Sequence, residues 1–114
     1  MKKDDTVFLR HILDAIARIE MYSQDVSYKQ FMQTPLIQDG IIRNLEIIGE
    51  ASRNMSGELR AQHPAVPWNR IIGLRNRITH GYFNIILDIV WEIVQNDVPT
   101  LKRDVTRILE EFGR

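Results

Sequence analysis

The chain has 114 residues, the length of one domain with a sizeable core. Its 15 basic and 15 acidic side chains give a net charge of zero, so no overall field attracts it to nucleic acid or membrane. The absence of cysteine excludes disulfides and thiolate metal sites, and no signal-peptide core or membrane-length apolar run is present. We expect a single cytoplasmic domain over residues 1–114.

Apolar residues near the N-terminus recur at intervals of three and four, which indicates an amphipathic helix. It is predicted to begin after N-caps at residues 4–6 and to run to about Ser23. His11 lies off the apolar stripe, and we assign it no role. A short helix over residues 27–32 follows.

A long helix is predicted to begin at Thr34 and Pro35, an N-cap followed by proline at the first position, and to run to about Met55. Its charged residues alternate four and three positions apart on one face. In one interpretation this stripe faces solvent and its residues form ion pairs that each contribute roughly tenths of a kcal/mol to stability. In the other, the stripe lines a cleft or dimer seam beside residues 75–82. The charged residues are Asp39, Arg43, Glu46, Glu50 and Arg53, with Asp39–Arg43 and Glu46–Glu50–Arg53 as the expected pairs.

Proline and glycine divide the middle of the chain. A short helix or turn over residues 56–62 should end before Pro64, because the residue preceding a proline is biased away from helix. Pro67 suits the first position of the next helix, and Gly81 is placed to end it just after His80. We therefore expect one helix from Pro67 to His80.

The last third of the chain contains a helix from Leu87 to Gln95 that Pro99 interrupts. Proline removes one hydrogen bond and clashes with the carbonyl four residues back, so a kink is expected between Gln95 and Val98, with Asp97 as a new cap. Beyond Pro99, apolar residues again recur at helical spacing as far as the C-terminus. The pattern as a whole predicts an all-α, up-and-down bundle of four main helices plus short ones, with the last helix kinked near Pro99.

Arginine and histidine suggest a chemistry for the segment between Pro67 and Tyr82. Histidine can move protons near neutral pH, and arginine can hold a phosphate and stabilise added negative charge. RNA carries its own 2′-hydroxyl nucleophile, so His80 and Arg75 could cleave it without a metal. By itself, however, this spacing is a weak indication of catalysis.

Two further expectations concern metals and symmetry. The three histidines of the chain lack the spacing of a metal site, so we predict no metal and no cofactor. On an ideal helix Arg75 and His80 point about 140° apart. Two copies meeting across a twofold axis could bring the arginine of one chain towards the histidine of the other.

The run Arg75-Asn76-Arg77-Ile78-Thr79-His80-Gly81-Tyr82 resembles the signature of HepT-like toxins in the HEPN superfamily of metal-independent ribonucleases. That signature is an arginine, a polar residue, a histidine four to six positions on, and a tyrosine two further. The similarity extends over FLRHILDAIARIE, IIRNLEIIGEA, VPWNRIIGLRNRITHGYF and DIVWEIVQNDVPTLK, which is nearly the whole chain. We call residues 75–82 the signature segment.

This resemblance implies a HEPN-like fold and a homodimer whose interface forms the RNA cleft. It implies that Arg75 and His80 are catalytic and that Asn76 supports them. Arg77 is too close to His80 to be the catalytic arginine and is taken as a second supporting residue. Asp39, Arg43, Glu46 and Glu50 are candidates for the cleft.

HepT toxins are paired with MntA, a minimal nucleotidyltransferase antitoxin that adds AMP to the tyrosine of the signature. Tyr82 matches that tyrosine, which implies control by AMPylation in a type VII-like toxin–antitoxin system. Packing of the Tyr82 ring is compatible with this role. The alternatives are a catalytically silent module that scaffolds a nucleotidyltransferase, and a helical dimer in which Arg75 and His80 form a structural hydrogen bond. The neutral charge and the lack of a basic recognition helix disfavour a DNA reader.

Overall fold

The computed structural model describes residues 3–74, 77 and 83–113, and within these ranges the chain is helical, with turns and no strand. The predicted all-α bundle is confirmed. None of the described helices is both long and apolar enough to cross a bilayer. The elements are α1 (Lys3–Ser23), α2 (Tyr28–Gln33), α3 (Pro35–Asn54), α4 (Gly57–Gln62), α5 (Trp68–Ile72), α6 (Phe83–Glu92), a π-helical turn (Ile93–Asp97) and α7 (Val98–Phe112).

The core lies where α1 packs along α3 and α7. Each of these helices contributes aliphatic residues spaced three and four apart, as the sequence period predicts. Burial of one such side chain contributes roughly 1.5–3 kcal/mol. The fully or almost fully buried residues include Leu9, Ile12, Ile16 and Ile19 of α1, Ile41, Leu45 and Ile48 of α3, and Val105 and Ile108 of α7.

The start of α1 differs from the prediction. The helix already includes Lys3, so residues 4–6 lie inside its first turn rather than capping it. Asp5 is buried and accepts hydrogen bonds from the Ser56 N–H at 2.8 Å and from the Ser56 hydroxyl at 2.7 Å. Because a buried carboxylate must be satisfied, Asp5 fastens α1 to the residue that caps α4.

Thr34 precedes α3 as predicted, with Pro35 at its first position. The expected side-chain cap is absent at this described position, because the Thr34 hydroxyl donates to the Gln30 carbonyl at 2.6 Å. At the start of α2, by contrast, Ser27 caps with its side chain, in a reciprocal capping box with Gln30.

The helix is irregular near Pro99 as predicted, but the irregularity is not a kink followed by a new helix with Asp97 as its N-cap. The backbone widens into the π-helical turn, and the Val98 N–H donates to the carbonyl of Ile93, five residues back. This wider turn accommodates a proline that lacks an N–H. Asp97 has helical dihedral angles and does not cap; its carboxylate binds Arg70 instead.

Helix α6 follows the signature segment directly and is held by α2. The Tyr28 hydroxyl donates a hydrogen bond to the Asp88 carboxylate, which raises the pKa of Tyr28, because ionisation would break that bond and place two negative charges together. Trp91 packs edge-on against Tyr28, with ring centroids 5.9 Å apart, and lies 5.4 Å from the ring of Phe31.

The expected helix from Pro67 to His80 is interrupted. Pro67 occupies the N-cap position, α5 ends at Ile72, and Gly73 forms a turn whose N–H donates to the Asn69 carbonyl at 2.9 Å. A Cβ at residue 73 would lie 3.2 Å from that carbonyl oxygen, so glycine suits the tight turn. Leu74 and Arg77 are helical again. The predicted end at Gly81 lies outside the described residues.

Helix α5 approaches α3 closely at Gly49. This buried glycine has no side chain, and a Cβ there would lie only 3.2 Å from the backbone carbonyl oxygen of Ile71. A backbone atom at that distance cannot move aside like the end of a flexible side chain. Gly49 therefore sets the spacing between α3 and the helix that leads into the signature segment.

Replacing Gly49 by valine should push α5 away from α3 and lower the free energy of unfolding by about 1–3 kcal/mol, the usual cost of overpacking. Thermal denaturation followed by circular dichroism measures this change. Gly57→Val is the matched control, because nothing lies within 4 Å of a Cβ at that position. Equal melting temperatures for the two variants would contradict the role of Gly49.

Candidate active site

Four of the predicted site residues, Arg75, Asn76, His80 and Tyr82, lie outside the described residues. Their surroundings are defined by the elements on either side of them. Leu74 is buried, and Arg77 is exposed, with its backbone N–H donating to the Gly73 carbonyl. Leu74 and Arg77 are therefore the described residues that lie next to Arg75 and Asn76 in the chain.

A cavity of about 240 Å³ opens beside Leu74 and Arg77. It lies between α3, α5, the π-helical turn and α7, and most of its lining is aliphatic. Apolar walls exclude water and strengthen any electrostatic interaction formed at the rim. The aliphatic lining consists of Leu45, Ile48, Ile71, Leu74, Ile93, Val98 and Leu101.

Charged residues border this cavity. Arg70 forms an ion pair with Asp97 at 2.9 Å, and Arg77 has no ion-pair partner in the described part of the chain. Asp104 lies on the rim and is bound by Arg107, one turn along α7, at 3.3 Å. The cavity therefore combines an apolar interior with two arginines and two carboxylates at its edge.

Three members of the charged stripe of α3, Arg43, Glu46 and Glu50, line a second groove of about 290 Å³. The opposite wall is α1, which contributes Phe8 and His11. Arg43 and Leu45 point about 160° apart on a helix, so this groove and the cavity beside Leu74 lie on different faces of α3. Part of the stripe therefore lines a groove with α1, whereas a cleft beside Arg75 stays a prediction because Arg75 lies outside the described residues.

Asp39 does not line this groove, and its side chain is exposed. Neither the Asp39–Arg43 pair nor the Glu50–Arg53 pair, both expected for a solvent-facing stripe, is formed; all four of these residues are described. Exposed pairs at this spacing contribute little, so their absence costs little.

His11, to which the sequence assigned no role, lies in this groove. Its ring meets Phe8 edge-on, with centroids 6.0 Å apart and planes at 82°. The sequence contains an indication of this contact, because Phe8 and His11 are three residues apart on a helix and therefore share a face at the border of the apolar stripe of α1. Within the described ranges, no cluster of three or more histidine, aspartate or glutamate side chains is arranged to hold a metal.

Comparison with known proteins gives a consistent picture. A family model described as "Ribonuclease HepT-like" matches residues 12–108. A protein of Methanocaldococcus jannaschii named "Putative RNase" is 40% identical over 91% of this chain and 95% of its own length. The "Probable ribonuclease HepT" of Thermococcus cleftensis is 34% identical over 90% of this chain and 93% of its own length.

A further M. jannaschii relative, named "Gamma-glutamylcyclotransferase and putative RNase", is 37% identical over all of this chain. The chain spans only 51% of that protein, about half its length. No solved structure gave a significant match. The family model covers the second half of α1, the signature segment and most of α7, and with two relatives above 30% identity and near-complete coverage it shows that the chain belongs to the HepT-like ribonuclease family.

Proposed function

We propose that this protein is a ribonuclease that cleaves RNA without a metal ion, with Arg75 and His80 as its catalytic residues. The observation that carries the proposal is the family match over residues 12–108, which includes an arginine and a histidine at the signature spacing. The names of the relatives with near-complete coverage point to the same activity. On an ideal helix Arg75 and His80 diverge by about 140°, so the proposal combines the arginine of one chain with the histidine of its partner on one phosphodiester.

In the proposed reaction, His80 accepts the proton of the ribose 2′-hydroxyl. The 2′-oxygen then attacks the adjacent phosphorus, and the bond to the 5′-oxygen of the next nucleotide breaks. Arg75 stabilises the extra negative charge on the phosphoryl oxygens through its fixed fork of donors. The proton returns to the leaving 5′-oxygen, and the products are a 2′,3′-cyclic phosphate and a free 5′-hydroxyl.

This activity is tested by incubating the purified protein with RNA in EDTA. We expect undiminished cleavage and cyclic-phosphate ends, because the proposed mechanism uses a proton-transfer group and a cation and no metal-bound water. Loss of cleavage in EDTA with recovery in Mg²⁺ would contradict metal independence. Absence of cleavage together with tight binding to a nucleotidyltransferase would favour the silent scaffolding module instead.

We also propose that the protein is a homodimer whose seam includes the cavity beside Leu74. The cavity is apolar inside and carries Arg77 and Asp104 at its rim. A twofold axis places the same patch of both copies face to face, so each Arg77 could meet the carboxylate of the other copy. Such a seam would bring the two signature segments together, which agrees with the divergence of Arg75 and His80 expected on an ideal helix.

Light scattering should give twice the chain mass of 13.4 kDa at micromolar concentration. Ile71→Glu should shift the protein towards monomer, because it places a charge in the apolar lining of the cavity. Met21→Glu is the matched control, since Met21 is 63% exposed and does not line the cavity. A wild-type monomer, or equal dissociation by both variants, would contradict this seam.

In the cell we propose that the protein is the cytoplasmic toxin of a HepT/MntA-like pair. Its partner would be a minimal nucleotidyltransferase that attaches AMP to Tyr82. This tyrosine immediately precedes α6 in the chain. Two residues of α6, Asp88 and Trp91, contact Tyr28 of α2 and so hold α6 in position. The family membership and the match of Tyr82 to the signature support this assignment.

A further inference from the structure

A shallow depression of about 520 Å³ lies between α4 and α5. Arg60 of α4 and Asn69 and Arg70 of α5 line it, and none of the described residues in its wall is acidic. Pro67 and Arg70 line both this depression and the cavity beside Leu74. The two concave surfaces therefore adjoin at these two residues.

Arg60 has an unusual environment. Its Nε atom is buried and has no hydrogen-bond partner in the structure, although buried donors are nearly always paired. No carboxylate forms an ion pair with Arg60 in the described part of the chain. The half-buried side chain thus carries a charge that no described carboxylate neutralises, and its partial burial reduces the entropy lost when an anion binds.

The second arginine of the depression, Arg70, forms only a weak ion pair within the protein. Its ion pair with Asp97 is formed by side chains that are 58% and 42% exposed. Exposed pairs of this kind are weak and are screened by salt. A phosphate, which accepts two hydrogen bonds from an arginine fork, can therefore replace the carboxylate.

We propose that this depression is a track for the phosphate backbone of single-stranded RNA, with Arg60 and Arg70 holding phosphates outside the scissile bond. Arg70 precedes Arg75 by five residues, so at most about 18 Å of chain separates the track from the signature segment. The inference rests on the proposed ribonuclease function and extends it to substrate binding. A net-neutral chain needs such a local cationic path to hold RNA.

The track is tested by fluorescence anisotropy with labelled single-stranded RNA and protein carrying His80→Ala, so that the RNA stays intact. Arg60→Gln should weaken binding about tenfold and reduce the slope of log affinity against log salt by about 0.7, the loss of one phosphate contact. Arg60→Lys should restore part of the affinity because it keeps the charge. Arg10→Gln is the control, an exposed arginine of α1 outside the depression.

Arg70 and Asp97 give a test that separates phosphate binding from a structural role. Arg70→Gln should weaken RNA binding, whereas Asp97→Asn should strengthen it severalfold by releasing Arg70 from its carboxylate. If the pair only holds α5 to the π-helical turn, both variants should impair binding alike. Both side chains are substantially exposed, so this comparison remains decisive if an Arg60 variant fails to fold.

Cleavage assays use protein that keeps the wild-type His80. They distinguish an error in the proposed track from an error in the proposed function. Arg60→Gln and Arg70→Gln should raise KM about tenfold and change kcat by less than about twofold, because the lost contacts lie away from the reacting atoms. If the wild type cleaves RNA and both variants bind and cleave like Arg10→Gln, the track is wrong and the function stands. If the wild type neither binds nor cleaves RNA, both proposals fall.

Discussion

Replacing His80 by alanine should lower the rate of RNA cleavage at least about a hundredfold, the usual scale for loss of a general base. Arg75→Ala should cost a similar factor through loss of charge stabilisation in the transition state. The rate is measured in single-turnover assays with excess protein. Because the two residues act on one reaction step, the double variant should be little worse than either single variant.

Two variants control for the general effects of removing a histidine or an arginine. His63 ends α4 and Arg10 is exposed on α1, and neither belongs to the signature segment. His63→Ala and Arg10→Ala should therefore cleave RNA at close to the wild-type rate. Full activity in His80→Ala or Arg75→Ala, or restoration of either by Mg²⁺ alone, would reject the proposed mechanism.

Mixing the two inactive variants tests whether the active site is shared between protomers. In a mixed dimer, one site would combine both substitutions and the other would combine an intact Arg75 with the intact His80 of the other chain. Random exchange makes half of the dimers mixed, so about a quarter of the wild-type activity should return. No recovery after verified exchange would place Arg75 and His80 of the same chain in one site.

The regular helices and their main boundaries follow from local sequence signals. Apolar spacing predicted α1, α3 and α7, and Pro35 marked the start of α3. Pro99 located the irregular turn before α7, because a missing N–H disturbs a helix wherever the chain folds. These features depend on residues within about five positions of one another, which is the range that sequence patterns report.

The features that sequence reasoning missed depend on residues far apart in the chain. Asp5 looks like an N-cap, but it is satisfied by Ser56, 51 residues away. Asp97 also looks like a cap, but it binds Arg70, 27 residues away. Such pairings arise only when helices pack, so no local pattern contains them.

The same reasoning applies to the surfaces around the candidate site. The stripe on α3 was recognised from its spacing, but its partner in the groove is α1, which brings His11 opposite Glu46 and Glu50. The break at Gly73 was missed because a single glycine in an apolar helical pattern is usually tolerated. The position of Arg60 beside Arg70 depends entirely on how α4 and α5 pack.

AMPylation of Tyr82 should abolish RNA cleavage. The adduct adds bulk and negative charge two residues after His80, beyond a glycine that can turn the chain. Its phosphate can compete with the RNA backbone for Arg75 and Arg77, and its adenosine can occupy space that a base needs. The protein is incubated with its nucleotidyltransferase partner, ATP and Mg²⁺, then assayed for cleavage and mapped by mass spectrometry.

Tyr82→Phe should remain active after the same treatment, because it lacks the hydroxyl that accepts AMP. Tyr28→Phe is the matched control and should still be silenced, since the Tyr28 hydroxyl is bonded to Asp88 and its ring packs on Trp91. Silencing of Tyr82→Phe to the wild-type extent, or an adduct mapped to another residue, would contradict control at Tyr82. Modified Tyr82 with undiminished cleavage would make the tyrosine a substrate of the partner without making it a switch.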